Sequence, residues 1–95
     1  MVDPKTAAQA AFDRTEADLI ALSHRIHAHP ELKWEEQRAC AWLGDALTGY
    51  GFWVHSGICE LPTAFEVRAG SGPLHVVVCA EYDALPGMGT RAVIT

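Results

Sequence analysis

The chain has 95 residues, of which 49% are hydrophobic, and a formal net charge of −5 at pH 7. This length allows one small domain. The acidic balance argues against a nucleic-acid partner, which needs a basic face, and against an anionic membrane surface. The sequence contains no apolar run long enough to span a bilayer and no basic start followed by a long apolar core, so neither a membrane span nor a secretory signal is expected. Three cysteines without a paired spacing are typical of free thiols in a reducing compartment, so we expect a cytoplasmic protein.

A first helix is predicted from the start of the chain to His29. Asp3 followed by Pro4 is typical of an N-cap and the first helical position. Apolar residues then recur at helical spacing up to Ile26. Pro30 should end the helix near His29, because the residue before a proline is disfavoured in the α region.

A second helix is predicted over residues 34–48. Its apolar face consists of Ala39, Leu43, Ala46, Leu47 and Tyr50. Glu35 and Glu36 fall in the predicted first turn, where the helix dipole favours negative charge, and we interpret them as a solvated first turn rather than as catalytic groups. Gly49 and Gly51 offer a left-handed C-terminal cap.

Three histidines, His24, His27 and His29, cluster near the end of the first predicted helix. Such a cluster is compatible with a metal site, but no HExxH-type pairing accompanies it. Histidines near a helix C-terminus also complement the helix dipole, and we interpret the cluster in that way.

Three strands are predicted after the helices, over residues 52–56, 63–68 and 74–80. The third, LHVVVCA, is a continuous apolar run typical of a strand buried on both faces. The order helix, helix, strand, strand, strand predicts an α/β fold in which the helices pack on the sheet. Because such a central strand needs neighbours on both sides, we expect the chain to be the beginning of a larger domain.

Two carboxylates, Glu81 and Asp83, directly follow the third predicted strand. Open α/β sheets bind their ligands at the carboxyl ends of strands, so both residues are candidates for a catalytic site. The alternative for Asp83 is a turn, because aspartate followed by Pro86 and Gly87 is typical of one.

Three collinear segments resemble one known family. The segment IHAHPEL at 26–32, with Glu35 and Glu36 after it, resembles an opening motif LHxHPELxxxE. The segment LPTAF at 61–65 and the segment AEYDALPGMG at 80–89 resemble two further motifs. Together they resemble the aminoacylase-like metallopeptidases, and within them the p-aminobenzoyl-glutamate-hydrolase-like branch of amidohydrolases and dipeptidases.

The resemblance implies a catalytic α/β domain that hydrolyses amide bonds in N-acyl amino acids, short peptides or p-aminobenzoyl-glutamate-like conjugates. The family uses one or two divalent metals, often zinc or manganese, and is often dimeric through a separate dimerisation domain. Asp83 matches an aspartate beside the metal site, and Glu81 matches a position that is a metal-binding histidine in other branches. Members are several times longer, so we expect residues 1–95 to be an incomplete N-terminal part of the catalytic domain, without the dimerisation domain.

Residues 90–95, TRAVIT, depart from the family. The resemblance implies the motif HACGHN here, with the first metal ligands of this branch. One DNA sequence can encode both peptides in two reading frames. In the family's frame, CAC GCG TGC GGT CAT AAC encodes HACGHN. When the two bases GG that precede it are read as the start of the next codon, the same DNA reads GGC ACG CGT GCG GTC ATA AC and encodes Gly89 to Thr95. We therefore expect residues 90–95 to be an out-of-frame tail after a one-nucleotide deletion. The chain as it stands should then bind no metal and be inactive.

A non-catalytic function stays open beside this one. A short module of this kind would pair with a full-length homologue by adding its exposed sheet edge. Such a module should be folded and soluble by itself, whereas a broken fragment should expose the apolar run and aggregate. A small independent enzyme would instead require metal-dependent amide hydrolysis by the purified chain.

Overall fold

A computed structural model describes residues 3–86 of the protein, and residues 1–2 and 87–95 lie outside the described part. The predicted out-of-frame tail at 90–95 therefore falls outside it. The order of the described elements is two α-helices followed by two β-strands, with a short 3₁₀ turn between the strands. The α/β class predicted from the sequence is confirmed.

Helix α1 spans Pro4–Ala28 and has the predicted ends. The Asp3 carboxylate accepts hydrogen bonds from the backbone N–H groups of Lys5 at 2.9 Å and Thr6 at 3.1 Å, which satisfies two of the otherwise unpaired amides of the first turn. His29 is the C-cap, directly before Pro30. Local sequence signals thus determine both ends of this helix.

Helix α2 spans Gln37–Gly49 and begins about three residues later than predicted. Trp34 has a left-handed backbone with φ of 70°, which is incompatible with a helical turn at that position. Glu35 and Glu36 therefore precede the helix, and their predicted place in its first turn was wrong. The predicted glycine cap is confirmed at Gly51, whose φ is 91° and whose N–H donates to the carbonyl of Thr48 at 3.0 Å.

Strands β1, Trp53–Ser56, and β2, Phe65–Arg68, form a two-stranded antiparallel sheet, and both are shorter than predicted. Val54 pairs with Val67 in the register of the sheet. Helix α2 packs on β1, with Gly44 facing the Val54 side chain. Within residues 3–86, the residues classed as buried are Ala39 and Thr63, so the core lies where the start of α2 meets the start of β2.

The predicted third strand, residues 74–80, is not formed. In the part of the chain that the structure describes, this segment belongs to no strand, and Leu74, Val76, Val77 and Val78 expose 80–86% of their surface. Apolar composition alone does not make a strand, because each backbone N–H and C=O needs a partner in a neighbouring strand. β1 and β2 pair with each other, and a gap of about 730 Å³ separates β2 from residues 74–78.

No helix among residues 3–86 combines the length and the apolar character that crossing a membrane requires.

Candidate functional site

The start of α2 is held by a carboxylate from outside the helix. Glu31 accepts hydrogen bonds from the backbone N–H groups of Arg38 at 3.0 Å and Ala39 at 2.9 Å. These amides belong to the first turn of α2 and have no partner inside the helix. A negative charge at this end also complements the helix dipole. Glu31 thus performs the capping that Glu36, the residue in the N-cap position, does not provide through its own side chain.

The backbone of Glu31 also anchors the segment that carries the candidate carboxylates. Its carbonyl oxygen accepts a hydrogen bond from the N–H of Ala84 at 2.7 Å. Leu32 and Ala84 form an isolated parallel β-bridge at the same place. One residue therefore connects the start of α2 with the chain next to Asp83.

Tyr82 connects the same segment with the start of β2. Its hydroxyl donates a hydrogen bond to the backbone carbonyl of Thr63, and its ring stacks on Phe65 with centroids 6.0 Å apart and an interplanar angle of 27°. The hydroxyl of the buried Thr63 in turn donates to the Glu36 carboxylate at 3.0 Å. These contacts form a continuous polar path from Tyr82 to the residue before α2.

The environment of Tyr82 favours the neutral phenol. Partial burial raises the pKa of Tyr82 well above its usual value, and the neighbouring Cys40 adds to the rise. The phenol therefore stays protonated, and able to donate to Thr63, across the physiological range of pH.

We call this cluster the motif junction, defined as residues 31–32, 36, 63–65 and 82–84. It contains residues from each of the three sequence motifs, which lie up to about 50 positions apart in the chain. The resemblance predicted the motifs but not their contacts. No local spacing rule identifies Glu31 as a cap, because it lies seven residues before the first amide that it binds, whereas a capping box spans about three.

A cleft of about 380 Å³ opens beside the motif junction. Asp83 is half-buried and lines the cleft, whereas Glu81 is exposed and does not line it. The other residues that line the cleft are Ile26, His27, His29, Pro30, Glu31, Ala39, Tyr82, Ala84 and Leu85. The structure thus separates the two candidate carboxylates, which the sequence had placed together.

The residues of the described part do not fit a metal centre. Among residues 3–86 no group of three or more histidine, cysteine, aspartate or glutamate side chains converges on one point. His29 instead packs its ring edge on Trp42, with centroids 5.4 Å apart, and its Nδ1 lies 3.0 Å from the carbonyl oxygen of Arg25. Arg25 stacks over the same Trp42 ring at 4.5 Å, so His29 takes part in helix packing.

Comparison with known proteins supplies relatives over most of this chain, although no family model matches it. The chain is 34% identical over 83 residues to a subunit of the p-aminobenzoyl-glutamate hydrolase of Escherichia coli strain K12, a match that covers 84% of this chain and 17% of that protein. It is 36% identical over 98 residues to a human Xaa-Arg dipeptidase, covering 90% of this chain and 22% of the relative. An N-acyl-L-amino acid amidohydrolase of Geobacillus stearothermophilus is 35% identical over 78 residues, a match that covers 78% of this chain and 20% of that protein.

The chain spans about a fifth of the length of these curated relatives. Their names include a hydrolase of p-aminobenzoyl-glutamate, a dipeptidase and an amidohydrolase of N-acyl amino acids. These are the kinds of protein that the three motifs of the sequence resemble. Over the matched region, the comparisons therefore confirm the resemblance of the chain to the aminoacylase-like metallopeptidases.

Proposed function

We propose that this chain is part of the catalytic region of a metal-dependent amidohydrolase. The substrates would be N-acyl amino acids, short peptides or p-aminobenzoyl-glutamate-like conjugates. The observation that carries the proposal is the motif junction, which holds Asp83 at the wall of a cleft of about 380 Å³. A cleft of this volume is within the range of small-molecule sites. The names of the relatives support the reaction class.

Asp83 is the proposed catalytic residue of this region, and Glu81 is the weaker candidate because it is exposed outside the cleft. The surrounding residues position Asp83 rather than react. The Glu31 carbonyl fixes the backbone at Ala84, on one side of Asp83, and the Tyr82 hydroxyl fixes the other side through Thr63. With both neighbouring residues held, the backbone of Asp83 is fixed at the wall of the cleft, and this positions its carboxylate.

The proposed metals of the intact enzyme are zinc or manganese, and residues 3–86 do not supply their ligands. The family resemblance would place the first ligands after Gly89, in the region of residues 90–95. We propose that residues 90–95 are an out-of-frame tail and that residues 1–95 are a partial catalytic domain. The chain as it stands is then inactive and binds no catalytic metal.

The test uses the gene with one nucleotide inserted after the first two bases of the Gly89 codon, which keeps Gly89 and restores the frame that follows it. The restored protein should hydrolyse N-acyl amino acids or dipeptides in the presence of Zn²⁺ or Mn²⁺ and lose this activity with a chelator. Asp83→Ala in that protein should reduce kcat/KM by about 100-fold or more. Asp45→Ala, on the exposed side of α2, is the matched control. A restored protein that hydrolyses none of these amides would contradict the proposal.

The alternative is a non-catalytic module that pairs with a full-length homologue. The exposed apolar residues at 74–78 favour this function, because an unpaired extended segment is a template for another strand. The purified chain should then bind the homologue stoichiometrically without changing its metal content. A cytoplasmic location is proposed for either function, because Cys40, Cys59 and Cys79 are free thiols.

A further inference from the structure

Glu36 occupies the N-cap position of α2, yet its side chain makes no capping hydrogen bond. Glutamate is not among the residues favoured at an N-cap, and the first-turn amides of Arg38 and Ala39 already bind the Glu31 carboxylate. The Glu36 carboxylate instead accepts a hydrogen bond from the Thr63 hydroxyl, with the two oxygen atoms 3.0 Å apart. Since Glu36 is the last residue of the segment that matches LHxHPELxxxE, this bond joins the first motif to the second.

Thr63 carries this contact into the interior of the described part of the chain. Only 7% of its surface is exposed. Its hydroxyl is held by Glu36, and its backbone carbonyl accepts the hydrogen bond from the Tyr82 hydroxyl. A buried hydroxyl without an acceptor carries a desolvation penalty, so it would turn or move to find another partner. Glu36 therefore fixes the orientation of Thr63 and, with it, the carbonyl that Tyr82 binds.

We propose that Glu36 and Thr63 are positioning residues for Asp83. Tyr82 directly precedes Asp83, so the Thr63 carbonyl that holds the Tyr82 hydroxyl also restricts the backbone from which the Asp83 carboxylate extends. The backbone hydrogen bond of Ala84 anchors the other side. Loss of the contact between Glu36 and Thr63 should leave Asp83 anchored on one side only. The proposal rests on the proposed function, because holding Asp83 affects a reaction only if Asp83 is catalytic.

Glu36 also acts on Tyr82 through its charge. Burial is the largest cause of the raised pKa of Tyr82, and the neighbouring Cys40 and the Glu36 carboxylate add to it. A negative charge near the phenol favours the neutral form, which is the form that donates to Thr63. Glu36 thus holds the acceptor residue in place and keeps the donor protonated.

Amide hydrogen exchange, followed by NMR on the full 95-residue chain, tests the anchoring without any reaction. The Ala84 amide is the reporter, because its hydrogen bond adjoins Asp83, and the Leu43 amide in α2 is the internal reference. Thr63→Val removes the hydroxyl and should raise exchange at Ala84 about tenfold relative to Leu43. A role in overall stability alone would raise exchange at both amides by the same factor.

Matched variants separate the hydrogen bond from the rest of each side chain. Thr63→Ser keeps the hydroxyl and Glu36→Gln keeps an acceptor oxygen, so exchange at Ala84 should stay within about threefold of the wild type in both. Glu36→Ala should reproduce the effect of Thr63→Val. Glu35→Ala, at the exposed neighbouring position, should leave exchange at Ala84 unchanged.

The activity of the restored protein tests the catalytic consequence. Thr63→Val should lower kcat about tenfold with little change in KM, because a misplaced carboxylate impairs the reaction more than the binding of substrate. Thr63→Ser should recover most of kcat. A restored wild type without amidohydrolase activity would contradict the proposed function and not the anchoring of Asp83, which the exchange experiment decides by itself.

Two results would overturn the proposal. The first is an Ala84 amide that is unprotected in the wild-type chain, or whose exchange rises in Thr63→Val by the same factor as that of Leu43. The second is an active restored protein in which Thr63→Val has the kcat of the wild type.

Discussion

Residues 74–80 and residues 81–84 follow each other in the chain, yet they differ in almost every structural property. The first segment is apolar, exposed and unpaired, whereas the second contains two carboxylates and is anchored through Tyr82 and Ala84. The difference lies in the partners that the rest of the chain offers. Glu31 and Thr63 each present a hydrogen-bonded backbone carbonyl to the second segment, whereas among the described residues no backbone hydrogen bond joins the first segment to a strand.

Hydrogen-bond partners, rather than hydrophobicity, therefore determine which part of this stretch is ordered against the body of the protein. The free energy of burying an apolar strand is gained only when another surface covers it. A single N–H that finds a buried or half-buried acceptor fixes the backbone locally. Three substitutions and one change of pH test whether the anchored segment depends on these contacts and whether the exposed one is independent of them.

Removing the Glu31 carboxylate should destabilise the anchored region more than any other of these changes. Glu31→Ala leaves the first-turn amides of Arg38 and Ala39 without their acceptor, so we expect the free energy of unfolding to fall by about 2 kcal/mol. Urea unfolding followed by circular dichroism measures the change. The exposed Glu35 is the matched control, and Glu35→Ala should change the free energy by less than about 0.5 kcal/mol. Equal effects of the two substitutions would show that the Glu31 cap is not what holds the start of α2.

Removing the Tyr82 hydroxyl should have a smaller effect. Tyr82→Phe keeps the stacking on Phe65 but removes the donor to the Thr63 carbonyl, so we expect a loss of about 1 kcal/mol in unfolding free energy at neutral pH. The change is measured by urea unfolding under the same conditions. A Tyr82→Phe variant as stable as the wild type would show that this hydrogen bond does not anchor the segment.

The raised pKa of Tyr82 also predicts an alkaline loss of stability. In the unfolded chain the phenol loses its proton near pH 10, whereas in the folded chain it does so at higher pH. The contribution to stability is therefore complete below about pH 10 and is lost as the pH rises from there towards the folded pKa. Urea unfolding repeated at increasing pH measures this loss, and Tyr82→Phe should reduce it. Part of the alkaline loss of stability that remains in Tyr82→Phe should come from Tyr50, whose pKa is also raised, by desolvation and by the nearby Asp18.

Shortening a side chain in the exposed segment should have the smallest effect on the free energy of unfolding. Val76 is 80% exposed, so Val76→Ala, measured at a concentration where the chain is monomeric, should change the free energy of unfolding by less than about 0.5 kcal/mol. The matched substitution Val54→Ala, in the half-buried face of β1 against Gly44, should cost about 1 kcal/mol or more. A larger loss for Val76 than for Val54 would mean that residues 74–80 are covered within the monomer.

The parts of the fold that were predicted correctly depend on local signals. Asp3 and Pro4 define the start of α1, and Gly51 ends α2, because each acts on amides or carbonyls a few residues away. The start of α2 was placed wrongly because its cap, Glu31, lies outside any local capping pattern. The third strand was placed wrongly for a related reason, since its formation depends on a distant partner that periodicity does not reveal.

The candidate site was predictable only in part. The motif match identified Asp83 and Glu81 from the sequence, and the i, i+2 spacing alone did not distinguish them. The structure does so, since Asp83 lines the cleft and Glu81 is exposed outside it. The positioning contacts of Tyr82 were not predicted, because its partner carbonyl lies 19 residues earlier in the chain.

The most direct test of the proposed catalytic origin is the DNA sequence of the gene from the Leu74 codon to well past the Thr95 codon. We predict that one added nucleotide near the Gly89 codon changes residues 90–95 to HACGHN and opens a long frame that continues the amidohydrolase. DNA that encodes no such continuation in any frame would contradict this origin. The short non-catalytic module would then be the better explanation of the chain.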